Sequence, residues 1–143
     1  MKLVRQIIEN KASHFNIINE DDTVLEALRV MNRENLSYVI VMDDKKFKGI
    51  FCEKDYARKV ILHGKHSDDT KVKDIMFKDL HYVDIDDASE SCLAIMCNYD
   101  VKYVTVLEDY QFRGIITSED IMKETLSERV NTVPSRNLLC PEN

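Results

Sequence analysis

The sequence predicts an α+β fold in which two similar β-α-β-β-α units pack against each other. Three observations point to this class. The chain matches itself without gaps when it is shifted by 65 residues, and each copy alternates β-branched runs with helical apolar spacing. A single unit of about 50 residues is too small to cover both faces of a short sheet by itself. The chain of 143 residues has room for two such units and a core of ordinary size.

The internal repeat is supported by the rarest residues of the chain. Only three glycines are present, and Gly49 and Gly114 occupy the same repeat position. Unrelated segments would seldom agree in this way, so the duplication organises the rest of the prediction. Further identical pairs are Asp21/Asp86, Asp22/Asp87, Leu28/Leu93, Met31/Met96, Tyr38/Tyr103, Val39/Val104, Val41/Val106, Asp44/Asp109, Phe47/Phe112, Ile50/Ile115 and Asp55/Asp120.

The first copy is predicted over residues 14–65, after an amphipathic helix over residues 1–13. Apolar residues at positions 3, 4, 7 and 8 indicate that N-terminal helix. Within the copy, Asp22 or Thr23, together with Glu26, supplies the N-cap of the next helix. The predicted elements are a strand at 15–18, a helix with the stripe Val24, Ala27, Leu28 and Met31, hairpin strands at 38–42 and 47–51, and a helix with Tyr56, Ala57, Val60 and Ile61 on its apolar face and Gly64 as its left-handed stop.

The second copy is predicted over residues 75–127 with the same order of elements. Its first helix has Asp87 and Glu90 as capping residues. A polar connector over residues 66–74 joins the copies, and residues 128–143 form a tail without periodicity. The predicted elements are a strand at 80–83, a helix with the stripe Ser89, Cys92, Leu93 and Met96, hairpin strands at 103–107 and 112–116, and a final helix with Ile121, Met122 and Leu126.

The most informative chemistry lies where the last strand of each copy meets the following helix. The two junctions read Gly49-Ile-Phe-Cys-Glu-Lys-Asp55 and Gly114-Ile-Ile-Thr-Ser-Glu-Asp120. A glycine permits close backbone approach, a helix N-terminus offers free N–H groups to a phosphate, and a carboxylate can accept hydrogen bonds from ribose hydroxyls. The pattern Thr-x-x-Asp is also an ordinary capping box, and the two roles can coexist.

Charge is distributed unevenly along the chain. A formal net charge of −6 and a pI near 5.2 argue against duplex nucleic acid as the main partner. Residues 45–65 nevertheless hold seven Lys or Arg against two acids, whereas residues 84–100 hold five acids and no base. A phosphate-bearing ligand would be drawn to the first region. Arg58 and Lys59, one turn after Asp55, and Lys102, before the second hairpin, are candidate phosphate contacts.

Two copies of this unit, each ending in the pattern G-h-h-[S/T]-x-x-D, resemble the tandem cystathionine β-synthase (CBS) domain, also called the CBS pair or Bateman module. The similarity covers about residues 10–127, and residues 53–64 with 72–76 look like small stand-alone bacterial CBS-pair proteins. The resemblance implies pseudo-two-fold symmetry, with two clefts between the repeats. It also implies an adenosine-containing ligand (AMP, ADP, ATP, NAD(H) or S-adenosylmethionine) and a homodimer of CBS pairs.

The same resemblance implies roles for the junction residues. Asp120 is expected to hold ribose hydroxyls, with Thr117 and Ser118 towards phosphate. Asp55 matches the ribose carboxylate of the first copy, but Cys52 replaces the family's Ser or Thr, and a thiol is a weak hydrogen-bond donor. A site around Thr117 and Asp120 is therefore favoured. The other predicted ligand-binding residues are Gly114, Ile116, Gly49, Phe51, Arg58, Lys102 and Tyr103.

The expected function is that of a cytoplasmic regulatory module, which binds an adenine nucleotide and thereby changes its dimer packing or its fit to a protein partner. One alternative is a constitutive dimerisation or interaction module, with a vestigial cleft that Cys52 disables or that Phe51 and Tyr103 block. Another alternative is a redox sensor acting through Cys52, because a thiol at a helix N-terminus can have a lowered pKa.

Other classes of protein are not indicated. No Ser-His-Asp set, P-loop or paired catalytic carboxylates can be recognised, so no enzymatic activity is expected. His63 and His66 lack a third ligand and are separated by Gly64, so no metal is expected. The longest apolar runs are too short for a membrane span, and the N-terminus is not a signal peptide. Four cysteines without a C-x-x-C pair are typical of a reducing cytoplasm.

Overall fold

The computed structural model describes residues 2–11 and 15–127, and its element order is the predicted one: an N-terminal helix followed by β-α-β-β-α twice. The predicted tail over 128–143 and the end of the predicted N-terminal helix lie outside the described residues. The elements are α1 (Val4–Asn10), β1 (Ile17–Asn19), α2 (Val24–Glu34), β2 (Tyr38–Asp43), β3 (Lys46–Cys52), α3 (α-helical over Glu53–Asp55 and π-helical over Tyr56–Ile61), a 3₁₀ turn (Val72–Asp74), β4 (Tyr82–Asp84), α4 (Ser89–Tyr99), β5 (Tyr103–Glu108), β6 (Gln111–Thr117) and α5 (Ser118–Ser127).

Each copy forms its own three-stranded sheet, and the two sheets have the same register. The first strand runs parallel to the second, and the second pairs antiparallel with the third. The pairing slips by one residue after Val41, opposite Gly49, and again after Val106, opposite Gly114. A bulge at the same position in both copies confirms that the duplication extends to backbone geometry.

The middle strand of each sheet is buried on both faces. Val39 and Val41 pack inside the first repeat, whereas Tyr38 and Ile40 point to the contact between repeats. Alternate side chains of a strand leave opposite faces of the sheet, so one apolar run can serve two cores. The second repeat follows the same scheme, with Val104 and Val106 in its own core.

The two repeats pack on each other through a third apolar cluster, as the size of a single unit predicts. Ile50 and Ile115 are almost completely buried there, and the rings of Phe47 and Phe112 stack with their centroids 4.1 Å apart. Phe47 and Phe112 are equivalent repeat positions. The stack therefore joins the copies near their pseudo-two-fold axis.

The core of each repeat is completed by a segment from outside that repeat. Helix α1 completes the second repeat, and the connecting residues 70–76 complete the first. Helix α1 packs on the second repeat, where the Val4 N–H donates to the Asp87 carbonyl over 2.9 Å. The equivalent contact of the first repeat comes from residues 70–76, where the Val72 N–H donates to the Asp22 carbonyl over 2.9 Å. Part of the predicted polar connector thus belongs to a core, which its many charged residues did not indicate.

Several local predictions need correction. The Thr23 hydroxyl accepts from the Glu26 N–H over 3.2 Å, so the first N-cap is confirmed. The second is wrong, because the N-cap residue of α4 is Ala88, and the Asp87 carboxylate instead accepts from the Asp84 N–H over 2.9 Å. The strands predicted at 15–18 and 80–83 are displaced to β1 and β4, since pairing with β2 and β5 is limited to three residues each.

The predicted apolar face of the last helix in each copy is largely exposed. In α3 only Val60 is fully buried, and Ile61 remains exposed. In α5 Ile121 is buried, whereas Met122 and Leu126 face outward. These exposed residues follow the i, i+4 spacing that predicted a core stripe, but no element of the described chain covers them. The predicted left-handed stop is present after α3, where Gly64 has a φ of +69°.

Candidate functional site

Two cavities lie between the repeats, one at each strand-to-helix junction. We call them the Asp120 cleft, of about 510 Å³, and the Asp55 cleft, of about 610 Å³. Tyr103 lines both clefts, and its ring lies 5.1 Å from that of the equivalent Tyr38. The Tyr103 hydroxyl lies 2.9 Å from the Ser37 hydroxyl. Residues shared by the two clefts are Ser37, Lys102 and Tyr103.

In the Asp120 cleft, the predicted junction residues surround the start of α5. The Thr117 N–H donates to Asp120 Oδ2 over 2.9 Å, and the Asp120 N–H donates to Thr117 Oγ1 over 3.1 Å. This is the reciprocal capping box that the sequence pattern also allows. The cap holds the Asp120 carboxylate at the cavity wall beside Ser118, so the structural role and a ligand contact remain compatible.

Lys11, which the sequence did not single out, forms an ion pair with the Asp120 carboxylate. Lys11 Nζ lies 2.8 Å from Asp120 Oδ2 and donates to the Ile115 carbonyl over 2.6 Å and to the Tyr38 hydroxyl over 3.2 Å. Burial alone would lower the pKa of Lys11, but Tyr38 and Asp120 together raise it above its ordinary value. The lysine is therefore cationic at neutral pH and neutralises the carboxylate that the prediction assigned to ribose.

In the Asp55 cleft, the equivalent carboxylate is more deeply buried. Asp55 Oδ2 accepts from the Cys52 N–H over 3.0 Å and from the Cys52 thiol over 3.2 Å, while Oδ1 lies 3.1 Å from Lys59 Nζ. Lys59 also donates to the Ile75 carbonyl over 3.3 Å. Asp55 thus has partners on both oxygens, whereas a ribose would need at least one of them.

The state of Cys52 bears on the redox hypothesis. Burial is the main reason that the pKa of the Cys52 thiol is raised to about 11, and the negative charge of Asp55 is the second. Reactive cysteines instead have a lowered pKa and an accessible sulfur. The thiol is thus protonated at neutral pH, which disfavours a redox sensor at Cys52.

Most of the predicted ligand-binding residues come together in the clefts. Lys102 and Tyr103 line both of them. The Asp120 cleft further contains Thr117, Ser118 and Asp120, and the Asp55 cleft contains Cys52, Asp55 and Arg58. Their ligand contacts stay a prediction.

Four predicted residues are not among those lining the clefts. Phe51 and Ile116 are completely buried in the cores of their own repeats, so Phe51 does not block a cleft. A Cβ on Gly49 would lie 2.5 Å from the Phe77 carbonyl oxygen, and one on Gly114 would lie 3.3 Å from Ile8 Cδ1. The glycines therefore permit close approach of protein segments.

Sequence reasoning also missed residues that line the clefts. Ser37 and Tyr38 could have been found, because they are the repeat equivalents of Lys102 and Tyr103. Lys11 had no such signal, since it lies before the first repeat and the match at the 65-residue offset gives it no counterpart. Further lining residues include Asn10 and Leu36 in the Asp120 cleft, and Phe77, Leu80 and Asp100 in the Asp55 cleft.

Residues 2–11 and 15–127 contain no group of three or more His, Cys, Asp or Glu side chains arranged to hold a metal ion. Within the same ranges, no helix combines the length and the apolar character needed to cross a bilayer.

Comparison with known proteins agrees with the repeat architecture. The family model of the CBS domain matches residues 4–61 and again residues 72–127. A protein with CBS domains from Burkholderia ambifaria MC40-6 superimposes with a TM-score of 0.84 and 27% identity, covering 93% of this chain and 100% of that one. The chain belongs to the CBS domain family, and its two matches form a CBS pair.

Two further relatives are informative. The CBS domain pair of protein MJ0100, crystallised with 5′-methylthioadenosine and S-adenosyl-L-methionine, has a TM-score of 0.75 and 24% identity, covering 90% of this chain and 99% of that one. The mitochondrial CBS domain-containing protein CBSX3 of Arabidopsis thaliana is 26% identical over 113 residues, or 76% of this chain. The chain spans 55% of the length of that relative.

Proposed function

We propose that the protein is a regulatory module that binds an adenosine-containing ligand in the Asp120 cleft. The observation that carries the proposal is the composition of this cavity of about 510 Å³, where a capped carboxylate, two hydroxyls and the N-terminus of α5 converge between the repeats. A ribose diol would donate to Asp120. A phosphate would meet the Ser118 hydroxyl, Lys102 and the positive end of the helix dipole.

Family membership supports the regulatory part of this proposal, since CBS pairs are generally regulatory modules. The pair of MJ0100 was crystallised with two adenosine-containing ligands, which supports the ligand class. The candidates for this chain are AMP, ADP, ATP, NAD and S-adenosylmethionine.

The Asp55 cleft adds cations to the proposal. Arg58, Lys54 and Lys59 line it, and Lys102 connects it to the Asp120 cleft. Cys52 offers only a weak donor there, and it already donates to Asp55. We therefore assign the ribose of the bound ligand to the Asp120 cleft. If the ligand carries a longer phosphate chain, we expect that chain to extend towards Arg58.

Regulation would follow from the position of the ligand between the repeats. A ligand in this place can shift the conformation only by binding one arrangement of the repeats more tightly than another. We propose that the shift is transmitted to a second copy of the chain or to a protein partner. The adenosine-containing ligand acts as the signal, and no chemical step is required.

A panel of ligands tests this proposal. A ligand present at about 100 times its Kd stabilises the folded state by about 2.7 kcal/mol, which should raise the melting temperature by at least about 5 °C. Thermal shift with AMP, ADP, ATP, NAD, S-adenosylmethionine and 5′-methylthioadenosine measures this directly. Asp120→Asn keeps an acceptor for the Thr117 N–H but removes the charge, so it should abolish most of the shift.

Glu119→Gln is the matched control for Asp120→Asn. Glu119 lines the same cleft and lies in the same first turn of α5, but its side chain is exposed. It should retain the full ligand response. A melting temperature that ignores every ligand, or equal losses in Asp120→Asn and Glu119→Gln, would count against the proposal.

A second candidate function is a constitutive dimerisation module with clefts closed by the protein itself. The observation that favours it is that both junction carboxylates are already paired with lysines, Asp120 with Lys11 and Asp55 with Lys59. This candidate predicts a dimer whose mass and melting temperature are the same with and without all six ligands.

A further inference from the structure

Lys11 makes an unusual set of contacts for a residue outside the second repeat. It follows the last turn of α1, and its ammonium reaches across the Asp120 cleft to three oxygens of different origin. These are a carboxylate on α5, a backbone carbonyl on β6 and the Tyr38 hydroxyl on β2. Only about a fifth of the Lys11 side chain is exposed. The ammonium is thus held by both repeats at once.

The ammonium and a ribose would compete for one carboxylate. Lys11 Nζ lies 2.8 Å from Asp120 Oδ2, and the same oxygen accepts from the Thr117 N–H. A ribose diol that donates to both oxygens of the Asp120 carboxylate must displace Lys11 from Oδ2. A neutral nucleoside would then leave an ammonium in a half-buried position without its acidic partner, which is costly.

A phosphorylated nucleoside removes this cost, because its phosphate offers the displaced ammonium a new partner. Helix α1 is fixed independently of Lys11: Ile7 is buried in the core of the second repeat, and Lys2 forms an ion pair with Glu124 of α5. The stem of Lys11 can therefore swing within the cleft while its backbone stays in place. The ammonium would move from carboxylate to phosphate and remain paired throughout.

We propose that Lys11 is the residue that makes the Asp120 cleft selective for phosphorylated over unphosphorylated nucleosides. The inference rests on the proposed function and adds a specificity-determining residue to it. The Lys11 ammonium occupies the place where the ribose would bind. Only a ligand that carries a negative charge displaces it.

The test compares adenosine with AMP by isothermal titration calorimetry. Lys11→Met keeps the apolar stem and removes the ammonium. Adenosine should bind Lys11→Met at least about tenfold more tightly than the parent protein, the factor that corresponds to one charge-assisted hydrogen bond. The affinity for AMP should change little. Lys11→Met removes the ammonium that competes with the ribose, but it also removes the ammonium that would pair with the phosphate. The preference for AMP over adenosine should therefore fall by about tenfold.

Lys123→Met is the matched control. Lys123 lines the same cleft and is exposed, so it tests the loss of a positive charge without the ion pair to Asp120. It should leave the affinity for adenosine unchanged. The inference is overturned if the preference for AMP is the same in Lys11→Met and the parent, if Lys123→Met loses it equally, or if Lys11→Met still fails to bind adenosine while the parent binds AMP. If none of the three proteins binds adenosine or AMP while another ligand of the panel raises the melting temperature of the parent, this inference alone is overturned. If no ligand of the panel does so, the proposed function fails as well.

Discussion

At the scale of single residues, the two copies have diverged where they contact each other. Thr105 is 5% exposed at the contact between repeats, and its hydroxyl finds no hydrogen-bond partner among the described residues. The equivalent residue of the first copy is Ile40, which fills a similar position without a polar atom. A buried hydroxyl without a partner costs free energy, so Thr105 weakens a contact that Ile40 strengthens.

Thr105→Val should therefore increase the free energy of unfolding by about 1 kcal/mol, because it removes the unpaired hydroxyl and keeps the branched shape. Thr117→Val makes the same chemical change where the hydroxyl caps α5, and it should decrease the free energy of unfolding by about 1 kcal/mol. Urea unfolding of both variants measures the difference. Losses of the same sign in both would show that the Thr105 hydroxyl has a partner in solution.

At the scale of elements, the two repeats are completed by segments that occupy equivalent positions. Leu3 forms a bridge with Ala88, and Lys71 forms the same bridge with Thr23. Ile7 and Ile75 then lie one turn further on, 3% and 4% exposed, in the cores of opposite repeats. Helix α1 is therefore a structural part of the second repeat, although the whole first repeat separates them in sequence.

Ile7→Ala and Ile75→Ala should each cost about 2–5 kcal/mol, since each leaves a cavity in a packed core. The two substitutions should destabilise different repeats. Hydrogen exchange should accelerate in β4–α5 for Ile7→Ala and in β1–α3 for Ile75→Ala. If Ile7→Ala instead accelerated exchange mainly in the first repeat, α1 would not have the role described.

The repeat predicted the order of the elements, both hairpins and the packing of the copies on each other. It did not fix the bounds of the short strands β1 and β4, and the N-terminal helix was predicted from its own apolar spacing. Lys11 has no counterpart at that offset, so its contact with Asp120 could not be found. Helical spacing identified apolar residues such as Met122 but could not tell a core from an outer surface, because both use the same period.

At the scale of the whole molecule, the last helix of each repeat presents apolar side chains to solvent. Leu62, next to α3, is 77% exposed, and Leu126 in α5 is 68% exposed. Ile61 and Met122 are exposed beside them. Apolar surface at corresponding places of both repeats is suited to a second copy of the chain, and it supports the homodimer that we expect for this CBS pair.

Leu62→Glu combined with Leu126→Glu should convert this dimer to a monomer, because two charges would be buried without partners at the interface. Multi-angle light scattering after gel filtration gives the mass. Tyr110→Glu is the control, since Tyr110 is 95% exposed in the turn between β5 and β6. A double variant that keeps the mass of the parent would place the dimer contact elsewhere or exclude it.

The exchange of completing segments also sets the order in which the chain can fold during synthesis. The first repeat has all of its core once residue 76 has been made. Arg5 and its partner Asp86 are 81 positions apart, so α1 stays unpacked during synthesis until the second repeat emerges from the ribosome. Until then its apolar face, with Val4 and Ile7, is open to other chains.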